Sequence, residues 1–223
     1  MVEKNFSSDQ PLKGIALAIL ATLLFAFLNS MTKHVSQVYP MVMILWFRYL
    51  FFGGYGLAVG LKYHKKRAFS SLVPFLQITR ALLLLAEIGV YVFAFRHLPL
   101  AEISAISGAG PMVTMAMSSL ILREVITLRQ WLIVVLGFVG ICIIVKPGFA
   151  SFDPWMLIPL FGTLLWGLYQ VLTRLVSKYD GAERTTLFTG TIGFVILCTL
   201  LPFFWSPVDI NWLGKFSVLA ILG

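Results

Sequence analysis

The sequence predicts an all-α integral membrane protein built as an inverted repeat of five-helix units. Three observations carry this. Of 223 residues, 59% are hydrophobic and only 12% charged, with a mean hydropathy of +0.92, whereas soluble globular chains are about 45–50% apolar and about 25% charged. The apolar residues fall in blocks of about twenty, the helix length that crosses a hydrocarbon core of about 30 Å. An early stretch of sequence also returns later in the chain. This composition excludes a soluble enzyme and a disordered chain. A membrane barrel would show short alternating segments, and these blocks are continuously apolar.

Taken in order, a tail (residues 1–13) precedes apolar spans at 14–34, 41–61, 74–95, 100–121, 128–145, 155–175 and 184–204, and an eighth begins near 213. The first span, behind Lys4 and Lys13, has the look of a secretory signal, but its internal copy argues otherwise. When the connectors are assigned alternately to two sides, one side holds eleven cations: Lys4, Lys13, Lys62, Lys65, Lys66, Arg67, Arg123, Arg129, Arg174, Lys178 and Arg184. The other holds four, Lys33, Arg96, Lys146 and Lys215, and Arg48 and Arg80 lie within spans. The positive-inside rule puts the N-terminus and the 62–67 loop in the cytoplasm. The net charge of +8 is therefore topology charge rather than a nucleic-acid face. Cys142 and Cys198 lie inside apolar blocks, so neither a disulfide framework nor a cysteine metal motif is present, and no metal or cofactor is expected.

A shift of 141 residues lays ATLLFAFLNSMTKHVS (21–36) on GTLLWGLYQVLTRLVS (162–177) without a gap, six of sixteen positions being identical. The same shift pairs Phe25 with Trp166, Asn29 with Gln170, Phe47 with Phe188 and Phe75 with Phe216. Five spans separate the starts of the two copies. That odd number makes the second copy enter the bilayer from the opposite side, the inverted-topology repeat of alternating-access transporters. The first repeat is expected over 14–148 and an incomplete second repeat, holding spans six, seven and the start of eight, over 149–223. A ten-helix architecture is expected, with seven to eight helices present here. By repeat arithmetic the second copy closes near position ~287, so the expectation is a fragment lacking roughly 65 residues.

The stretch AFRHLPLAEISAISGAGPMVTMAMSSLILREVITLRQWLIVVLGFVGICIIVKPG (94–148) resembles the end of the first half of an EamA-type member of the drug/metabolite transporter superfamily. The features in common are the Arg of WFRYLFFG (46–53), the Leu-Pro-Leu-Ala-Glu run before span four, Pro111 within it, and the Glu then Arg-Gln-Trp turn before span five. Arg123 stands before Glu124 where that family usually has Gly, which bears on the tight turn there. The resemblance implies ten helices in two inverted halves, a bacterial inner (plasma) membrane location, and transport of amino acids, amines, carboxylates or nucleotide-like metabolites.

Ionisable groups at depth are the sharpest functional signal, because an unpaired charge in hydrocarbon is costly. Arg48 and Glu87 each lie seven or eight residues inside their spans, about 10–12 Å deep at ~1.5 Å per residue, where they can pair beside a transport path or simply tie two helices. Arg80, nearer the cytoplasmic face, is expected to snorkel. Arg80, Leu84, Glu87, Tyr91 and Ala94 share one inward stripe, opposite Leu82, Leu83 and Leu85. Asn29 and Gln170 occupy mirrored depths near the midplane, where they can read a polar substrate group or bond helix to helix. Trp46, Tyr49, Tyr91, Trp166 and Tyr169 offer aromatic walls for a planar or cationic group. In span four, Ser104, Ser107, Gly108, Gly110, Pro111 and Thr114 make a small, polar, proline-interrupted stretch suited to lining a cavity. Gly14, Ala18, Thr22, Ala26 and Ser30 form a small-residue stripe suited to close helix packing.

The substrate-binding candidates are therefore Asn29, Arg48, Tyr49, Glu87, Tyr91, Ser107, Thr114, Trp166, Tyr169 and Gln170. The partners are the lipid bilayer and a small-molecule substrate, with no nucleic acid. An intramembrane serine protease needs a Ser and a His together at depth, but His34, His64 and His97 fall at span ends or in a loop. An aspartyl protease needs a second intramembrane Asp beside Tyr179-Asp180, which itself lies in a connector. A channel or a non-transporting fragment are the competing readings of a carrier. Coupling to protons through Glu87, exchange and simple export all stay open.

Overall fold

A computed structural model of the chain describes residues 11–64, 69–123, 125, 127–145 and 153–222. It consists of helices α1 (Pro11–Ser36), α2 (Met41–His64), α3 (Pro74–His97), α4 (Leu100–Ser107), α5 (Gly110–Leu122), α6 (Leu128–Val145), α7 (Leu157–Val176), α8 (Ala182–Phe204) and α9 (Ile210–Leu222), with a 3₁₀ turn at Pro154–Met156 leading into α7. Among the described residues there is no strand, and six helical stretches are long and apolar enough to cross a membrane. We call the face at which α1 begins the near face and the face at which it ends the far face.

Two elements differ from the sequence expectation. The fourth span is two helices. Pro111 has no N–H to give to the Ser107 carbonyl, so the ladder falls back on shorter steps: Ala109 N–H donates to Ile106 at 3.1 Å and Met112 N–H to Ala109 at 3.0 Å. The eighth span, α9, starts at Ile210 rather than 213, because Asp209 caps it by accepting the Asn211 N–H at 3.0 Å. The turn between α5 and α6 forms without glycine, with Arg123 at φ 54 and ψ 34 in the left-handed region. α6 then begins on a reciprocal cap in which Thr127 N–H donates to Gln130 Oε1 at 2.8 Å and Gln130 N–H to Thr127 Oγ1 at 3.4 Å.

The small stripe on α1 does not pack as expected. Gly14, Ala18, Thr22, Ala26 and Ser30 are all exposed, and a Cβ on Gly14 would meet nothing within 4 Å. Leu12, Leu17 and Leu23 are exposed as well, as suits a helix with lipid around it.

The tightest contact is between α2 and α8. A shift of 141 residues carries α2 onto 182–205, the position of α8, and α1 onto 152–177, the position of the 3₁₀ turn and α7. Gly190 comes so close to α2 that a Cβ there would lie 2.9 Å from the Phe52 carbonyl oxygen and 3.0 Å from Gly53 Cα. A Cβ on Gly193 would lie 2.0 Å from the Tyr49 ring. The shift takes Tyr49 to Gly190 and Phe52 to Gly193, so these two contacts are images of each other, and Gly53 meets its own image, Phe194. Backbone approach of this kind drives helix association where lipid competes for every apolar contact. The ends of the bundle are tied through carbonyls. At the far face, Lys33 Nζ donates to Leu98, Gln37 Nε2 to Phe95 at 3.1 Å, and Arg96 to Tyr39.

Gly190→Val should cost about 1–3 kcal/mol through overpacking and lower the thermal midpoint in detergent, while Gly54→Ala, with nothing within 4 Å of its Cβ, should leave that midpoint unchanged or raised. Arg123→Gly should add about 1 kcal/mol, the left-handed penalty less the chain entropy that Gly brings to the unfolded state. An unchanged midpoint in both Gly190→Val and Arg123→Gly would contradict this account of packing and turn.

Candidate functional site

α2 lies against α8 and α9, and α3 lies against α7, so the facing sides of α2 and α3 diverge. A cavity of about 440 Å³ opens between them, bounded also by α1, α4 and α7. Eight of the ten sequence candidates line it: Asn29, Arg48, Tyr49, Glu87, Tyr91, Ser107, Trp166 and Tyr169. The other two, Thr114 and Gln170, line a second cavity of about 460 Å³ with Ser118, Gln130, Arg174 and again Trp166. Asn29 and Gln170 thus hold equivalent positions in the repeat but face different cavities, because α7 turns Gln170 toward α5 and sets Trp166 between. Trp46 is in neither lining. Its Nε1 donates to Cys198 Sγ at 3.2 Å and its ring meets Phe47 and Phe194, which makes it packing between α2 and α8. Phe25, Phe52 and Phe95 complete the aromatic lining of the first cavity and were not among the candidates, since nothing in their spacing sets them apart from other phenylalanines of the spans.

The first cavity holds two ionisable groups of opposite sign, Arg48 and Glu87, from different helices. Glu87 is 8% exposed, and Arg48 is half-buried with its Nε enclosed and lacking a hydrogen-bond partner. The pairing expected of them is not made: among the described residues no ion pair within 4.0 Å joins them. The Tyr49 hydroxyl beside them is also buried and unpartnered. Tyr91 by contrast is fixed. Thr163 Oγ1 donates to the Pro159 carbonyl at 2.8 Å, so at the 3.0 Å contact the Tyr91 hydroxyl is the donor to Thr163. Trp166 stacks on Tyr169 with ring centroids 5.5 Å apart.

Residues 12–146 of the chain match the EamA-like transporter family. The chain belongs to that family. It is also similar to an S-adenosylmethionine uptake transporter of Rickettsia prowazekii, 24% identical over 212 residues covering 95% of this chain and 72% of that protein. A riboflavin transporter of Brucella anthropi is 29% identical over 105 residues, 47% of this chain and 37% of that protein. A pseudopaline exporter of Pseudomonas aeruginosa is 24% identical over 223 aligned positions, 94% of this chain and 75% of that protein. This EamA-like chain is thus a multi-pass membrane transporter, and these three relatives are named for moving small molecules.

Within this EamA-like fold the near-face side of the first cavity is sealed by a residue whose role differs from expectation. Arg80 does not snorkel: it is 2% exposed. Its guanidinium donates to Tyr169 Oη at 3.0 Å, to Thr173 Oγ1 at 3.4 Å, to the Thr185 carbonyl at 2.8 Å and to Thr189 Oγ1, and it lies 5.2 Å from the Tyr169 ring centroid. Its acceptors sit on α7 and α8, and counting depth along α3 alone cannot see them. Nearer the face, Asp180, in the connector between α7 and α8, accepts from Ser71, from Gln77 Nε2 at 3.0 Å and from Arg184 Nη1 at 2.7 Å. Burial pushes the Asp180 carboxyl up, and the hydrogen bonds from Ser71, Gln77 and Arg184 more than offset it, holding the group below the usual carboxylate range.

The lowered folded pKa means that Asp180 stabilises the protein above its unfolded pKa of about 3.9 and that this stability is lost as pH falls through the folded value. Asp180→Asn, which turns one acceptor into a donor facing donors, should cost about 1–3 kcal/mol at neutral pH. In melts across a pH series the two proteins should converge at the acid end; a constant gap down to the lowest pH would remove Asp180 from that role.

Proposed function

We propose that this EamA-like transporter is an inner-membrane carrier, with its N-terminus in the cytoplasm, that moves small organic metabolites by alternating access. Amino acids, amines, carboxylates and nucleotide-like compounds are the substrate classes we include, in keeping with the S-adenosylmethionine, riboflavin and pseudopaline for which the relatives are named. The two rocking units are the repeat over 14–148 and the one that begins at 149. Cytoplasmic placement of the near face follows from the connector cations.

One observation carries the reading. The two cavities run from the middle of the bundle toward opposite faces, with Trp166 in the wall of both. The first reaches Phe95 and Ile103, close to the far-face ends of α3 and α4, and the second reaches Val125, Gln130 and Arg174, close to the near-face ends of α6 and α7. A channel needs one continuous polar path. Two half-paths divided by an aromatic side chain, with Arg80 closing the near side of the first, suit a carrier whose site is open to one face at a time.

Liposomes holding the purified chain should exchange labelled metabolites from a panel spanning these classes with saturable kinetics. Trp166→Ala, which joins the two cavities, should lower saturable exchange and raise leak of the same solute from loaded vesicles severalfold. Exchange and leak both equal to those of the unaltered chain would sink the reading of Trp166 as the divider, and non-saturable flux through the unaltered chain would favour a channel.

A further inference from the structure

The charges of the first cavity invite a more specific conclusion, which rests on reading that cavity as the substrate site. The fold treats two arginines in opposite ways. Arg80 has four acceptors from α7 and α8 on its two terminal nitrogens, and only its enclosed Nε lacks a partner. Arg48 has no hydrogen bond and no ion pair among the described residues, and its Nε is enclosed. Glu87, 8% exposed on the facing helix, likewise receives no hydrogen bond. The Tyr49 hydroxyl, next to Arg48 in sequence and in the same lining, is buried without a partner.

A guanidinium offers five N–H donors and an ionised carboxylate about four acceptor positions, and leaving them unmet away from water is costly. An anionic ligand would satisfy Arg48 and be repelled by Glu87; a cationic one would do the reverse. A molecule with a carboxylate and an ammonium on one end completes both. Its carboxylate takes the planar fork of Arg48, the geometry that favours two parallel N–H to oxygen bonds, and can accept from Tyr49. Its ammonium donates to Glu87. The same lining carries the aromatic side chains Phe25, Phe52, Tyr91 and Trp166 beside aliphatic ones such as Leu84 and Ile88, and at about 440 Å³ the space lies in the range of small-molecule sites, about 300–1,000 Å³.

We propose that Arg48 and Glu87 clasp the two charges of a zwitterion, an α-amino-acid head group carried on a flat aromatic or heteroaromatic body that lies against the aromatic wall of the far-face cavity. The clasp reads the head group by charge geometry and the body by shape.

The test measures binding by thermal shift and exchange in liposomes with tryptophan, tryptamine and indole-3-propionate, which share one ring and differ in head-group charge, together with S-adenosylmethionine and riboflavin. Tryptophan or S-adenosylmethionine should stabilise and be exchanged, with tryptamine and indole-3-propionate at least tenfold weaker than tryptophan. Arg48→Gln should weaken the zwitterion at least tenfold and shift preference toward tryptamine; Glu87→Gln should shift it toward indole-3-propionate. Each variant is its own folding control, because it retains the analogue whose charge it still matches. Tryptamine or indole-3-propionate binding as well as tryptophan, or either Gln variant holding the zwitterion unchanged, overturns the clasp. Exchange of riboflavin alone overturns the clasp and leaves the carrier reading standing, whereas exchange of nothing in the panel overturns both.

Discussion

The cost of placing charge in hydrocarbon organises this bundle. On insertion scales an Arg or Asp at the centre of a helix costs about 2.5–3.5 kcal/mol, so each ionisable residue at depth needs partners or a purpose. Arg80 has partners, and through them it joins α3 to α7 and α8, helices that follow it by about ninety residues or more. That bond set closes the near-face side of the first cavity and brings Tyr169 onto its floor. Arg48 and Glu87 have no such partners, and the cavity exists where their helices part.

The α2–α8 seam shows how a repeat yields a site that is not symmetric. Its backbone contacts come in image pairs, Gly193 on Tyr49 and Gly190 on Phe52. The side chains depart from symmetry in the places that matter. Arg48 corresponds to Thr189, Phe25 to Trp166 and Leu28 to Tyr169. A charge on one copy is therefore matched by a hydroxyl on the other, and that hydroxyl accepts from Arg80. The near half is built around a cation whose two terminal nitrogens are bonded and the far half around one with no hydrogen bond among the described residues, on nearly the same scaffold.

The place and order of the apolar spans were legible in the sequence because bilayer thickness sets a length that composition alone reports. The break within the fourth span was legible in kind, since Pro111 cannot donate, though the two-helix outcome depends on which carbonyls Ala109 and Met112 reach. Depth arguments found Glu87 and Arg48, and the inward stripe of α3 placed Glu87 and Tyr91 together. They misjudged Arg80 because an isolated helix has only its own ends for a cation to reach. Sequence equivalence set Asn29 and Gln170 at corresponding positions of the two copies but could not say which space each would face, and the structure puts them in the linings of different cavities. The exposed stripe of α1 shows that small residues permit close approach without supplying a neighbour.

These interactions also bound what a transport cycle must do. On the proposed carrier reading, emptying the first cavity toward the near face parts Tyr169 and Thr189 from Arg80. Hydrogen bonds to a charged group are each worth about 1.5–3 kcal/mol net, so opening needs a compensating difference in free energy. A ligand shifts an equilibrium only by its differential affinity for the two states, and Tyr169 is the side chain that both the cavity and Arg80 touch. A cargo that engages Tyr169 competes for the residue that holds the near side shut. Arg48 and Glu87 are the strongest interactions the far-face cavity has left to give, and a cargo that satisfies them favours opening only by as much as it holds them more tightly once Tyr169 has left Arg80 than before.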